Sequence, residues 1–215
     1  MTRVAAIDCG TNSIRLLVAD GHIDENGRPQ LADLTRQMRI VRLGQGVDAR
    51  GYLDPAAIER TVEATVEYQR MIEALGATRT RFVATSATRD ASNSADFVRQ
   101  IKAVIGVEPE VVVGTEEASL SFNGAVSGLG ESVAAPMLVV DIGGGSTEFI
   151  IGSTLRPDIT ESLPLGCVTY SLRFFQNKIT AKDFQSAISA ARNEIQRISK
   201  NMKREGWDFA VGTSG

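Results

Sequence analysis

The stretch Asp8-Cys9-Gly10-Thr11-Asn12-Ser13 returns as Asp141-Ile142-Gly143-Gly144-Gly145-Ser146, and each copy stands between two short apolar runs. Arg3-Val4-Ala5-Ala6-Ile7 leads into Asp8, and Ile14-Arg15-Leu16-Leu17-Val18 leads out of its turn. Met137-Leu138-Val139-Val140 and Phe149-Ile150-Ile151 do the same for Asp141. Runs of this kind, broken by Gly-rich turns, read as strand, carboxylate, tight turn, strand. A chain that carries the unit twice is constrained to a duplicated architecture, with two similar half-sites expected to face each other. Glycine removes Cβ atoms where the chain turns, so backbone N–H groups can approach an anion closely. The candidate phosphate-binding residues are therefore Gly10, Thr11, Asn12 and Ser13 in the first turn and Gly143, Gly144, Gly145, Ser146 and Thr147 in the second. A carboxylate beside a phosphate-binding turn is repulsive unless a cation lies between them, so Asp8 and Asp141 point to bound Mg²⁺. The plain alternative is a pair of ordinary β-hairpins with glycine turns.

With 215 residues, 43% of them hydrophobic, the chain can bury a core, and it reads as two lobes, 1–128 and 136–215. No apolar run reaches the roughly 18 residues of a membrane span, and Met1-Thr2-Arg3 runs directly into the first strand, so neither a span nor a signal peptide is expected. Cys9 and Cys167 make no disulfide framework, which fits a reducing cytoplasm, and Cys9 is expected to pack inside the first turn. A net charge of -3 and an aromatic content of 6% argue against nucleic acid as a partner. A polyanionic ligand would have to be held by a local cluster of Arg, Lys, backbone N–H and metal.

Along the chain, alternation predicts three strands between Arg3 and Arg42, with turns at Gly10 and at Asp24-Glu25-Asn26-Gly27. Apolar residues at Ile58, Val62, Val66, Met71 and Ile72 predict a helix from Pro55 to Leu75, capped by Asp54 and stopped by Gly76. A strand at Phe82-Val83-Ala84, a loop from Thr85 to Asp90, a helix from Ser94 to Ile105 and a strand at Val111-Val112-Val113 follow. A third helix is expected from Gly114 to about Ser127, with Thr115 as its cap. After a linker over 128–135 and the second copy of the repeat, helices are expected from Val168 to Phe175 and from Ala181 to Met202. This alternation predicts an α/β fold with mixed sheets. The second copy begins beyond the middle of the chain, so a second lobe of equal length does not fit. Ending in what reads as a Gly212-Thr213-Ser214-Gly215 turn predicts a truncated chain with its second lobe incomplete.

His22 is the one histidine and reads as a solvated loop residue, which leaves a zinc site and a Ser-His-Asp triad without support. Acid–base chemistry must then come from carboxylates. Ligand sites of open α/β sheets gather at the carboxyl ends of strands, and the residues there are Asp8, Thr85 to Arg89, Glu116, Glu117 and Asp141. Glutamates in a first helical turn also complement the helix dipole, and that is the reading for one of the pair. Arg89 reads equally as a phosphate clamp or as a solvated residue before a helix. Glu148 reads equally as facing a metal or facing solvent.

Five segments taken together, Asp8 to Arg15, Ala84-Thr85-Ser86-Ala87-Thr88-Arg89-Asp90, Gly114-Thr115-Glu116-Glu117-Ala118, Val140 to Glu148 and Gly212 to Gly215, resemble the exopolyphosphatase and guanosine pentaphosphate phosphohydrolase (Ppx/GppA) family across the whole chain. The resemblance implies the duplicated ribonuclease-H-like fold of the actin-like ATPase superfamily, with the phosphate chain held between lobes. It implies Glu117 as general base, Arg89 as a phosphate contact, and Asp141 and Glu148 as acidic positions linked to Mg²⁺ and catalysis; Asp8 joins them as a metal ligand on the charge argument above. The implied reaction is hydrolysis of the terminal phosphate of inorganic polyphosphate, with guanosine pentaphosphate as a second candidate substrate, in a homodimer. Two other classes fit the paired turns: an ATP-dependent kinase or ATPase of the same fold, and a non-catalytic phosphate or nucleotide sensor. The Glu-Glu-Ala and Ala-Thr-Arg motifs argue against the first.

Overall fold

Strand alternation and helix caps fix most of the elements in the computed structural model, which describes residues 1–25, 29–129, 136–153, 157–176 and 179–214. The expected Asn26-Gly27 turn, the 130–135 part of the linker and Gly215 lie outside the described residues. The chain divides into Met1–Val112 and Val113–Gly215.

In the first unit β1 (Thr2–Cys9), β2 (Ser13–Ile23) and β3 (Pro29–Ile40) form an antiparallel meander. β4 (Arg79–Ala84) and β5 (Glu110–Val111) then add in parallel beside β1, giving the order β3-β2-β1-β4-β5. Ala5, Ile7 and Cys9 are buried while Ala6 and Asp8 are exposed, the period of two that a one-sided sheet requires. The buried face packs with α2 (Pro55–Leu75) and α4 (Ser94–Ile105) in a core that includes Ile7, Leu16, Tyr68, Phe82 and Phe97. α2 begins and ends where its caps dictate. The Asp54 side chain accepts from Ala56 N at 3.0 Å, and Gly76 closes the helix at φ 70°. Tyr68, fully buried, satisfies its phenol by donating to the Ile14 carbonyl at 3.0 Å. Two single helical turns, α1 (Val47–Arg50) and α3 (Ser86–Arg89), were not foreseen; α3 lies where a loop was expected.

The second unit repeats the strand plan. β6 (Met137–Ile142), β7 (Thr147–Gly152) and β8 (Pro157–Leu163) form the meander, and β9 (Phe209–Ser214) lies parallel to β6, giving β8-β7-β6-β9. α5 (Gly114–Leu129) covers one face through Ala118 and Phe122 against Met137, Val139 and Ile150. α7 (Ala181–Glu205) packs Ile198 and Met202 against Ile151 and Leu163 of the other face. A capping box between Thr180 and Asp183 starts α7. α6 (Cys167–Phe174) precedes it.

Some expectations change. β8 was not read as a strand at all. Residues 212–214 form strand rather than turn, paired in register with β6. β5 stops at Val111, short of the expected Val113. Thr115 does not cap α5, because Glu116 N and Glu117 N both donate to the Val113 carbonyl at 3.0 Å and the helix already begins at Gly114. Where the sequence reading set this helix in a 1–128 lobe, its contacts are with β6, β7, β8 and β9. Among the described residues no helix is long and apolar enough to cross a membrane.

Candidate functional site

The two turns of the repeat close identically. Gly10 N donates to the Ser13 carbonyl at 3.0 Å, and Gly143 N donates to the Ser146 carbonyl at 2.9 Å. Each turn is also braced from behind by a segment that follows the third strand of its own unit. Val41 N and Arg42 N donate to the Asn12 carbonyl at 3.0 and 2.8 Å, and Gly44 N donates to the Thr11 carbonyl at 2.9 Å. In the second unit Cys167 N donates to the Gly143 carbonyl at 3.0 Å, while Val168 N and Thr169 N reach the Gly144 carbonyl at 3.0 and 3.2 Å. These three donors are N–H groups of the first turn of α6, which no intrahelical carbonyl can serve. The turn supplies acceptors to α6, so those carbonyls are taken up by the helix rather than presented to an anion.

Four cross-strand partners then line up across the second sheet: Ser162 on β8 opposite Glu148 on β7, Glu148 opposite Asp141 on β6, and Asp141 opposite Thr213 on β9. Cross-strand partners share a face, and this one is the face covered by α5. α5 contributes Ser121, whose hydroxyl donates to Asp141 Oδ2, and, one helical turn earlier, Glu117. Thr213 Oγ1 is buried and finds no hydrogen-bond partner among the described residues. Of the two readings open for Glu148, solvent is excluded, since the residue is 1% exposed.

Burial pushes the Glu148 carboxyl up from its usual 4.5 to about 7; the charges of Glu117 and Asp141 push the same way, and hydrogen bonds from Ser146 and Ser162 oppose them. Between pH 4.5 and about 7 the folded chain holds a proton at Glu148 that the unfolded chain has released, so this group's contribution is lost as pH rises through that window. The full loss is about 3 kcal/mol at 1.36 kcal/mol per pKa unit. Glu148→Gln is therefore expected to be more stable than the parent at pH 8 and closer to it at pH 5, read by urea denaturation in metal-free buffer. Parallel pH profiles for the two proteins would contradict the assignment of this burden to Glu148.

In the first unit, Thr11 Oγ1 and Ser86 Oγ lie 2.8 Å apart, joining the first turn to α3. Arg89 is partly buried, and its Nη1 donates to the Val112 carbonyl at 2.9 Å, so it is anchored rather than loose. Asp8 sits on the exposed face of β1. Cys9 is buried and its thiol is pushed up by that burial, as packing requires. Among the described residues no three His, Cys, Asp or Glu side chains converge closely enough to hold a metal ion by themselves. The sequence reading missed Ser121, Ser162, Gly44 and Gly166. The last two carried a visible signal, because Leu43-Gly44 and Leu165-Gly166 each follow the third strand of their unit and extend the repeat beyond its turns.

The model of the Ppx/GppA phosphatase family matches residues 22–215. Exopolyphosphatase 2 of Mycobacterium tuberculosis is 42% identical over 221 residues, covering 100% of this chain and 68% of that protein. The crystal structure of an exopolyphosphatase-like protein superposes with a TM-score of 0.91 at 38% identity, over 100% of this chain and 66% of its own. An exopolyphosphatase of Cytophaga hutchinsonii superposes with a TM-score of 0.88 at 26% identity, over 100% of this chain and 67% of its own. The chain thus spans about two thirds of the length of these relatives, and its two mixed sheets have the duplicated ribonuclease-H-like fold.

Proposed function

The chain belongs to the Ppx/GppA phosphatase family, and on that premise we propose that the protein is a cytoplasmic, homodimeric exopolyphosphatase that releases the terminal phosphate of inorganic polyphosphate. The observation that carries the reading is the buried Glu148 under the charge of Glu117, on the strand that leaves the Gly143–Ser146 turn and opposite Asp141 on the strand that enters it. A buried carboxylate held beside like charges and a phosphate-type turn has no structural use that an apolar residue would not serve better.

In this reading Glu117 orients a water and takes its proton as the oxygen attacks the terminal phosphorus in line. The bond from phosphorus to the bridging oxygen breaks, orthophosphate leaves, and the chain shortens by one unit. Backbone N–H groups of Gly144 to Ser146 stabilise the charge on the transferred group, and positioning with electrostatics supplies most of the rate. The Thr147 hydroxyl, read from the sequence as a phosphate donor, instead donates to the Leu165 carbonyl, and that of Ser146 goes to Glu148. Within the first unit, Thr11 to Ser13 and Arg89 would be the corresponding phosphate donors, the Gly10 N–H being taken by the Ser13 carbonyl. The residues present fit Mg²⁺, which uses one or two protein carboxylates and completes its shell with water and substrate phosphate rather than a protein-only cage. Asp141 and Glu148 would hold it, with Asp8 in the equivalent place on the first sheet, and it would neutralise phosphoryl oxygen charge.

The test is phosphate release by the full-length protein from long-chain polyphosphate, guanosine pentaphosphate and ATP at equal phosphate-end concentration with Mg²⁺. Polyphosphate is expected to be used fastest, with guanosine pentaphosphate second. A strong preference for ATP would replace this reading with a kinase or ATPase, and binding without turnover would replace it with a sensor.

A further inference from the structure

Ser162 stands opposite Glu148 in the β7–β8 register, and its hydroxyl donates to Glu148 Oε1 at 2.8 Å. On its other side is Gly114, the first residue of α5. A Cβ at Gly114 would lie 2.6 Å from both Cβ and Oγ of Ser162, closer than real Cβ atoms come to anything. Gly114 has no positive φ, so close approach and not backbone conformation accounts for a glycine there. Ser162 is thus seated between the strand that carries Glu148 and the first turn of the helix that carries Glu117. Resting on the hydrolase reading above, we propose that Ser162 is a positioning residue for phosphate release, its hydroxyl fixing the Glu148 carboxylate while its side chain sets the start of α5 and with it Glu117.

The chemistry favours that role over simple packing. A carboxylate buried on a sheet has few donors to choose from, and one lost donor leaves it under-satisfied and free to turn. Displacements of about 1 Å near a reacting phosphoryl group cost up to about 10²-fold in rate. Ser162 itself touches no reacting atom and acts through Glu148.

The test is a double-mutant cycle on the full-length protein, reading kcat and KM for polyphosphate in the parent, Ser162→Ala, Glu148→Gln and the double variant, with thermal melts of each. Ser162→Ala is expected to lower kcat about tenfold with KM within about twofold. In the Glu148→Gln background the same change is expected to alter kcat by less than about twofold, since no carboxylate remains to be oriented and the alanine Cβ still faces Gly114 at the start of α5. Additive losses, or a Ser162→Ala kcat equal to the parent's, would overturn the inference while leaving the proposed activity standing. A parent that releases no phosphate from polyphosphate overturns both. If Ser162→Ala does not fold, Ser162→Cys, which keeps the side chain's shape but is only a weak donor, takes its place in the cycle with the same expectations.

Discussion

Glu117→Gln in the full-length protein is expected to slow phosphate release from polyphosphate by about 10²- to 10⁴-fold, the usual contribution of a positioned base, with polyphosphate binding little changed. The substitution keeps the shape of the side chain and removes its capacity to accept a proton. Its structural cost is small. Losing a negative charge from the first turn of α5 forfeits about 0.3–1 kcal/mol of dipole stabilisation. Against that, the Glu117 charge is, after burial, the largest influence raising the Glu148 pKa, so its removal relieves a buried repulsion. A large fall in kcat with an unchanged melting temperature is therefore the expected pair of results. Glu116→Gln is the matched control, since Glu116 is exposed at the neighbouring position. Its turnover is expected to stay near the parent's. Turnover by Glu117→Gln within a few-fold of the parent would remove Glu117 from the role of base.

How far the sequence led depended on whether the decisive interactions were local. α2 and α4 occupy the predicted spans because periodicity and the residues at their ends agree, down to Asp54 before the first turn of α2 and Gly76 after its last. β1, β2 and the return of the Asp-x-Gly turn were equally legible. β8 was not, because Asp158, Thr160, Glu161 and Ser162 give it the composition of a loop, and only its pairing with β7 makes it a strand. β9 failed for a related reason. Gly212-Thr213-Ser214 has turn chemistry, yet parallel pairing with β6 supplies the backbone partners and overrides it.

Within the site, Glu148 and Ile150 share one face of β7, but alternation in the sequence cannot say which face a helix covers. The packing of α5 decides that, and with it whether Glu148 meets water or Glu117. Gly114 illustrates the same limit. As a helix-opening glycine it invited no question, and its reason lies in Ser162, 48 residues away by number but in contact across the α5–β8 packing.

Gly166→Ala is the second change expected to have a large effect. Gly166 is buried and has φ -89° and ψ 144°, a conformation open to any residue, so its backbone does not ask for glycine. Its space does. A Cβ there would overlap the Gly144 carbonyl and the Gly145 backbone, which belong to the candidate phosphate turn and have no flexible side-chain end to move aside. The turn or the start of α6 must shift, and the hydrogen bonds from Cys167, Val168 and Thr169 to the turn shift with it. Overpacking of this kind costs about 1–3 kcal/mol in stability, and a displacement of about 1 Å in the turn costs about 10²-fold in kcat/KM for polyphosphate. Gly44→Ala makes the corresponding intrusion at the first turn, but there the severe overlap is with Thr11 Cγ2, which can rotate at the expense of the contact with Ser86 Oγ, while Ala87 Cβ at 3.1 Å and Thr11 Cβ at 3.3 Å need give by only a few tenths of an ångström. Gly44→Ala is therefore expected to lose less than Gly166→Ala in both melting temperature and kcat/KM. If Gly166→Ala proves as active and as stable as Gly44→Ala, the turn does not depend on the backbone contact that α6 makes with it.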